Sequence, residues 1–96
     1  MKAYVVLDLT VHDFGRFKQY ITDIPAFIAK HSGHYLVRGD QPTAIEGDWN
    51  PERLVIIEFP ERESAESFLS DPEIQELFKL RRATTTSRLV LAQGCT

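Results

Sequence analysis

The chain has 96 residues, a net charge of −3 from 11 Lys and Arg against 14 Asp and Glu, and 43% hydrophobic residues. That is a composition for one compact domain spanning residues 1–96, since a chain of this size buries roughly 60 to 70% of the surface it exposes when unfolded. No basic run is longer than Arg81-Arg82, so the clustered positive field that a phosphate backbone requires is missing and nucleic acid is not an expected partner.

The N-terminal apolar run in MKAYVVLDLT is short and broken by Asp8, which suits neither a signal-peptide core nor a membrane span. The single cysteine, Cys95, has no internal partner for a disulfide. A cytoplasmic protein without a membrane anchor is the expectation.

Residues Ala3 to Thr10 alternate, with Val5, Leu7 and Leu9 on one side and Tyr4, Val6 and Asp8 on the other, and describe a first strand. Asp13 then stands at an N-cap position before Phe17, Tyr20, Ile21, Ile24, Phe27, Ile28 and His31, which recur at helical spacing. Pro25 removes one backbone donor inside this helix and predicts a kink at Ile24. Gly33 is expected to take the left-handed conformation that ends it.

A strand HYLVR follows from His34, interrupted by Gly39 and Pro42 and expected to resume in TAIEG. Asp48-Trp49-Asn50-Pro51 reads as a turn. Arg53 to Phe59, RLVIIEF, is the most apolar strand and is expected at the centre of its sheet. Glu63 to Ser70 is a short helical segment, Asp71-Pro72 restarts the helix, and Ile74, Leu77, Phe78 and Arg81 form its inner stripe. Ser87 to Ala92 is a last strand.

The order β-α-β-β-α-β with right-handed crossovers predicts an α+β fold with an antiparallel sheet of order 4-1-3-2 and both helices on one face. The helix-facing set is expected to contain Val5, Leu7, Leu9, Tyr35, Val37, Val55, Ile57, Phe59, Leu89 and Leu91. The opposite set would be Tyr4, Val6, Asp8, His34, Leu36, Arg38, Leu54, Ile56, Glu58, Arg88 and Val90. It is too apolar for a solvated face, which predicts a homodimer formed through the helix-free side of the sheet.

Two ion pairs are expected on that open face. Asp8 should meet Arg88 across the first and last strands. Arg38 reaches Glu58 if the segment from Gly39 to Pro42 bulges, and this pairing ranks above one between His34 and Glu58. His31 and His34 are expected in different compartments of the fold, so no metal site is assigned.

The segment EGDWNPERLVIIEFP, with HYLVRG before it and Asp71-Pro72-Glu73 after it, resembles the bacterial family catalogued as domain of unknown function 1330. That resemblance implies a ferredoxin-like fold assembled as a dimeric α/β barrel. Members of the wider superfamily include cofactor-free monooxygenases, muconolactone-type isomerases and haem enzymes, the last on longer chains. It supplies no catalytic residues.

No Gly-rich phosphate loop, nucleophile elbow or Cys-x-x-Cys is present, and no cofactor is expected. The functional expectation is a small-molecule-binding homodimer, in its catalytic form a cofactor-independent monooxygenase- or isomerase-like enzyme acting on a small organic or aromatic acid. His31 and Glu58 are the candidate catalytic residues; Tyr35, Arg38 and Trp49 are the candidate substrate-binding ones. The alternative is a non-catalytic structural or regulatory dimer whose barrel interior is filled.

Overall fold

A computed structural model describes residues 1–96. Strand β1 (Ala3–Val11) leads into helix α1 (Phe14–Lys30), followed by β2 (His34–Asp40), β3 (Arg53–Phe59), α2 (Arg62–Ser70), α3 (Gln75–Thr84) and β4 (Thr85–Gln93). The sheet order is β2-β3-β1-β4. Both central strands are therefore the ones the sequence assigns, and the second helical segment is two helices joined by a turn.

Alternation in β1 buries Ala3, Val5, Leu7 and Leu9 beneath the helices, where they join Phe17, Ile24 and Ile28 of α1 and Phe59 of β3. Ala65, Phe68, Ile74 and Phe78 close the other half of the same core. Fully burying the Val, Leu, Ile and Phe side chains among these contributes about 1.5–3 kcal/mol each.

Helix α1 opens where the Asp13 side chain accepts a hydrogen bond from the Arg16 N–H at 3.2 Å. The helix continues through Pro25. Its end differs from expectation by one residue. Ser32 takes the left-handed conformation, with φ 63°. The Ser32 N–H bonds Ala29 O at 3.0 Å, and the Gly33 N–H bonds Ile28 O at 2.9 Å. This pattern of backbone bonds is a Schellman closure with Ser32 in the position usually held by glycine.

Gly33 is needed for space instead. A Cβ there would lie 2.6 Å from Phe59 Cε1 and 3.0 Å from Ile28 Cγ2. Both neighbours are buried, so neither has room to yield. Gly33→Ala is expected to lower unfolding free energy by about 1–3 kcal/mol, measured by urea denaturation; an unchanged midpoint would contradict this packing.

The turn after α2 is held by Asp71. Its side chain accepts from the Glu73 N–H at 2.9 Å, and α3 proper begins only at Gln75. Residues 41–52 form no strand, so the expected resumption in TAIEG does not occur.

Strand β2 carries the correction that matters most. Tyr35 pairs with Ile57 and Val37 with Ile56, so the register shifts between them, and Arg38 then pairs with Val55. The extra residue exchanges the faces of Val37 and Arg38, and a second shift between Arg38 and Asp40 returns Asp40, paired with Leu54, to the open face. Val37 thus joins the open face and Arg38 the helix-covered face, the reverse of the sequence expectation.

Candidate functional site

A cavity of about 170 Å³ lies between α1 and the sheet. Buried Leu7, Leu9, Ile24 and Ile28 line its interior, while half-buried Tyr35 and exposed Arg38 lie toward solvent. The bulge in β2 is what brings Arg38 here, with its guanidinium carbon 4.6 Å above the centre of the Tyr35 ring. Gly39, with φ 81°, and Arg53 complete that side.

No aspartate, glutamate, histidine or cysteine lines this cavity. Burial pushes the Tyr20 hydroxyl up to about 12, with the Arg81 guanidinium only partly opposing it. Burial also raises the Tyr35 hydroxyl above its ordinary value, opposed by Arg38. Neither phenol is a base near neutral pH. The cavity can hold an apolar body and meet an anionic group with a guanidinium; it lacks a side chain poised for general acid-base work.

Of the five sequence-assigned residues, Tyr35 and Arg38 meet here, and His31, Glu58 and Trp49 do not. His31 lies at the end of α1, where its Nε2 is 2.7 Å from Asp71 Oδ2 and its ring stands edge-on to Phe68. Lys30 Nζ donates to the same carboxylate oxygen at 2.7 Å and to Glu73 at 3.1 Å. His31 thus fastens α1 to the turn between α2 and α3.

The Lys30 ammonium, His31 and the Glu73 N–H together hold the Asp71 carboxyl well below the ordinary aspartate value of 3.8. A carboxylate lowered by folding contributes stability that is complete above its unfolded value and is lost as pH falls through the folded one. Stability should therefore fall with acidification below about pH 4. Asp71→Asn is expected to be less stable at neutral pH and to show a shallower acid slope; parallel urea titrations of the two proteins check this, and equal slopes would contradict it.

Glu58 belongs to the open face. It meets His34 Nε2 at 3.2 Å and Lys2 Nζ at 3.4 Å, so the pairing ranked second in the sequence is the one that forms. Burial raises the Glu58 carboxyl, but the Tyr4 hydroxyl, Lys2 and His34 outweigh it and leave it below its ordinary value. The two histidines do face different compartments. No group of three or more His, Cys, Asp and Glu side chains is arranged to hold a metal.

Trp49 donates its indole N–H to Asp8 Oδ2 at 2.7 Å, and Arg88 reaches the same oxygen at 2.6 Å. The expected Asp8–Arg88 pair is therefore present, with the 41–52 segment tied onto it. Burial raises the Asp8 carboxyl, yet Trp49 and Arg88 hold it below its ordinary value.

Across all four strands, Val37, Ile56, Val6 and Val90 form one apolar row on the open face. Leu36 is 52% exposed and Val90 58% exposed on the same side.

Arg81, on the inner stripe of its helix as the sequence places it, is buried between α1, α3 and β4 at 7% exposure. It donates to Ser87 Oγ at 2.8 Å, and its Nε has no hydrogen-bond partner. Burial lowers its guanidinium below the ordinary arginine value, with Tyr20 opposing.

One antiparallel sheet with all helices on one face, a cleft beneath α1 and a bare apolar face opposite define a ferredoxin-like protein. The chain belongs to the family described as domain of unknown function (DUF1330), whose model matches residues 2–95. No curated protein matches the sequence.

Among solved structures, the fold is similar to RPA0582, a protein of unknown function from Rhodopseudomonas palustris, at 17% identity and TM-score 0.79 over 99% of this chain and 83% of that one. A dimeric ferredoxin-like protein of unknown function from Jannaschia sp. CCS1 is similar at 8% identity and TM-score 0.72 over 98% and 100%. SnoaB, a cofactor-independent oxygenase from Streptomyces nogalater, is similar at 21% identity and TM-score 0.68 over 99% and 94%.

Proposed function

We propose that the protein is a homodimer joined through the helix-free sheet face, and that each subunit binds a small organic or aromatic acid in the cavity beneath α1. The observation that carries the ligand reading is the union of an apolar cavity of about 170 Å³ with Arg38. An engineered cavity of about 150 Å³ lined by aliphatic and aromatic side chains accepts benzene, so one ring fits this space. Arg38 forms no ion pair with a carboxylate of its own chain, which leaves its donors for an acid.

The apolar row on the open face supports the dimer, because contiguous exposed apolar area of this kind marks an interface and a two-fold pair is its commonest solution. Dimerisation in a ferredoxin-like neighbour accords with it. SnoaB is a cofactor-independent oxygenase, and an apolar cavity of this kind suits such chemistry. The absence of an acid-base side chain from its lining favours binding as the primary reading.

Calorimetric titration with benzoate tests the ligand reading. Arg38→Gln is expected to weaken benzoate by about 10- to 100-fold, the worth of a charged hydrogen bond, with the thermal midpoint little changed. Benzoate bound equally by both proteins, or by neither, would overturn it.

A further inference from the structure

The cavity side that carries Arg38 holds more positive charge than one carboxylate uses. Arg38 pairs with Val55, and Arg53 lies two residues from Val55 on the same strand, so the two arginines are diagonal neighbours on the helix-covered face. Both line the cavity. A Cβ on Gly39, the residue between Arg38 and Asp40, would lie 3.7 Å from Arg53 Nη1, which places that guanidinium beside the backbone following Arg38.

Arg53 stacks 5.3 Å over the Phe14 ring, and Lys18 Nζ stands 5.8 Å from the centre of the same ring. None of Arg38, Arg53 and Lys18 forms an ion pair. In a chain of net charge −3 this is a local reversal of sign. Asp40 pairs in register with Leu54 and so belongs to the opposite face.

Two guanidiniums seated on aromatic rings, at one side of an apolar cavity without a carboxylate, make a site for two negative charges. We infer that the ligand is an acid whose head carries two anionic groups on one edge of a ring-sized apolar body, with Arg38 meeting one and Arg53 the other. Each pairing is a charge-assisted hydrogen bond in a fixed fork geometry, stronger and more directional than a bond between neutral groups. The inference rests on the cavity being a ligand site and adds Arg53 as the residue that sets the preferred charge.

The test compares benzoate with phthalate at mildly alkaline pH and low salt, where phthalate is a dianion with adjacent carboxylates. The unsubstituted protein is expected to bind phthalate about tenfold more tightly than benzoate, a preference that shrinks as salt screens the second charge. Arg53→Gln should bring the ratio of the two affinities close to one, and Arg53→Lys should restore part of it.

Benzoate bound as tightly as phthalate would overturn the inference and leave the acid site standing. A phthalate preference that survives in Arg53→Gln would overturn the assignment of Arg53. Failure of both ligands to bind the unsubstituted protein would overturn the cavity reading and this inference together.

Discussion

Phe59→Ala is expected to remove about 3–5 kcal/mol of stability, the range for deleting a buried phenylalanine. Phe59 is fully buried on β3. Its ring lies 5.3 Å from that of Phe68, which in turn lies 5.6 Å from Phe78, so one aromatic column joins the sheet to α2 and α3. His31 packs on the same column through Phe68. The space left by Phe59 is bounded by Gly33, which has no side chain to fill it. Against a total of about 5–15 kcal/mol for a domain, this loss leaves a marginal protein. Urea unfolding followed by fluorescence of the single tryptophan measures it; a loss below about 1 kcal/mol would mean that the column collapses onto the vacancy.

Ile56→Asp is the second large effect, and it acts on assembly. Ile56 lies opposite Val6 on one side and Val37 on the other, at the middle of the apolar row. A carboxylate there loses its water when a second sheet packs over it, and no neighbour in that row can compensate the charge. The subunit itself should fold, because the substituted side chain points away from the helix-covered core. The expected result is a dimer dissociation constant raised at least about 100-fold, or about 2.7 kcal/mol, read by sedimentation over a concentration series. A substituted protein that remains dimeric, or an unsubstituted one that is monomeric throughout, would contradict an interface on this face.

Much of this architecture is legible in the residues, because three of the four strands alternate without interruption. In β1, β3 and β4 the period of two runs the length of the strand, so the core face, the open face and the Asp8–Arg88 pair follow directly. The same assumption fails in β2. A bulge adds one residue opposite Ile56, and that insertion carries Val37 to the open face and Arg38 to the helix-covered face. Nothing in HYLVRG announces the extra residue at that point. The interruption at Gly39 and Pro42 hints at irregularity a few residues later than the place where the register first slips.

The cavity was half visible for related reasons. The sequence assigns Tyr35 and Arg38 to a site, yet the route by which Arg38 reaches it is the bulge. Arg53 shares the parity of Val55, Ile57 and Phe59, a periodicity signal that its charge obscures. His31 continues the stripe of α1, which by itself names no partner for it. Its partner Asp71 is 40 residues away, and only the packing of the α2–α3 turn against the end of α1 brings them together. The bond from Trp49 to Asp8 spans 41 residues and likewise depends on the path of segment 41–52 over the open face. Local patterns specify elements and faces; contacts between distant turns are set by the assembled core.

Amide NMR shift mapping during a benzoate titration tests the central claim most directly, since it reports both binding and its location. Saturable shifts concentrated at Tyr35, Arg38, Gly39, Ile24 and Ile28, with Glu58, His34 and Trp49 nearly unmoved, are the predicted result. Shifts centred on Glu58 and Trp49, or on His31 and Asp71, or no saturable shift at all, would contradict a small-acid site beneath α1.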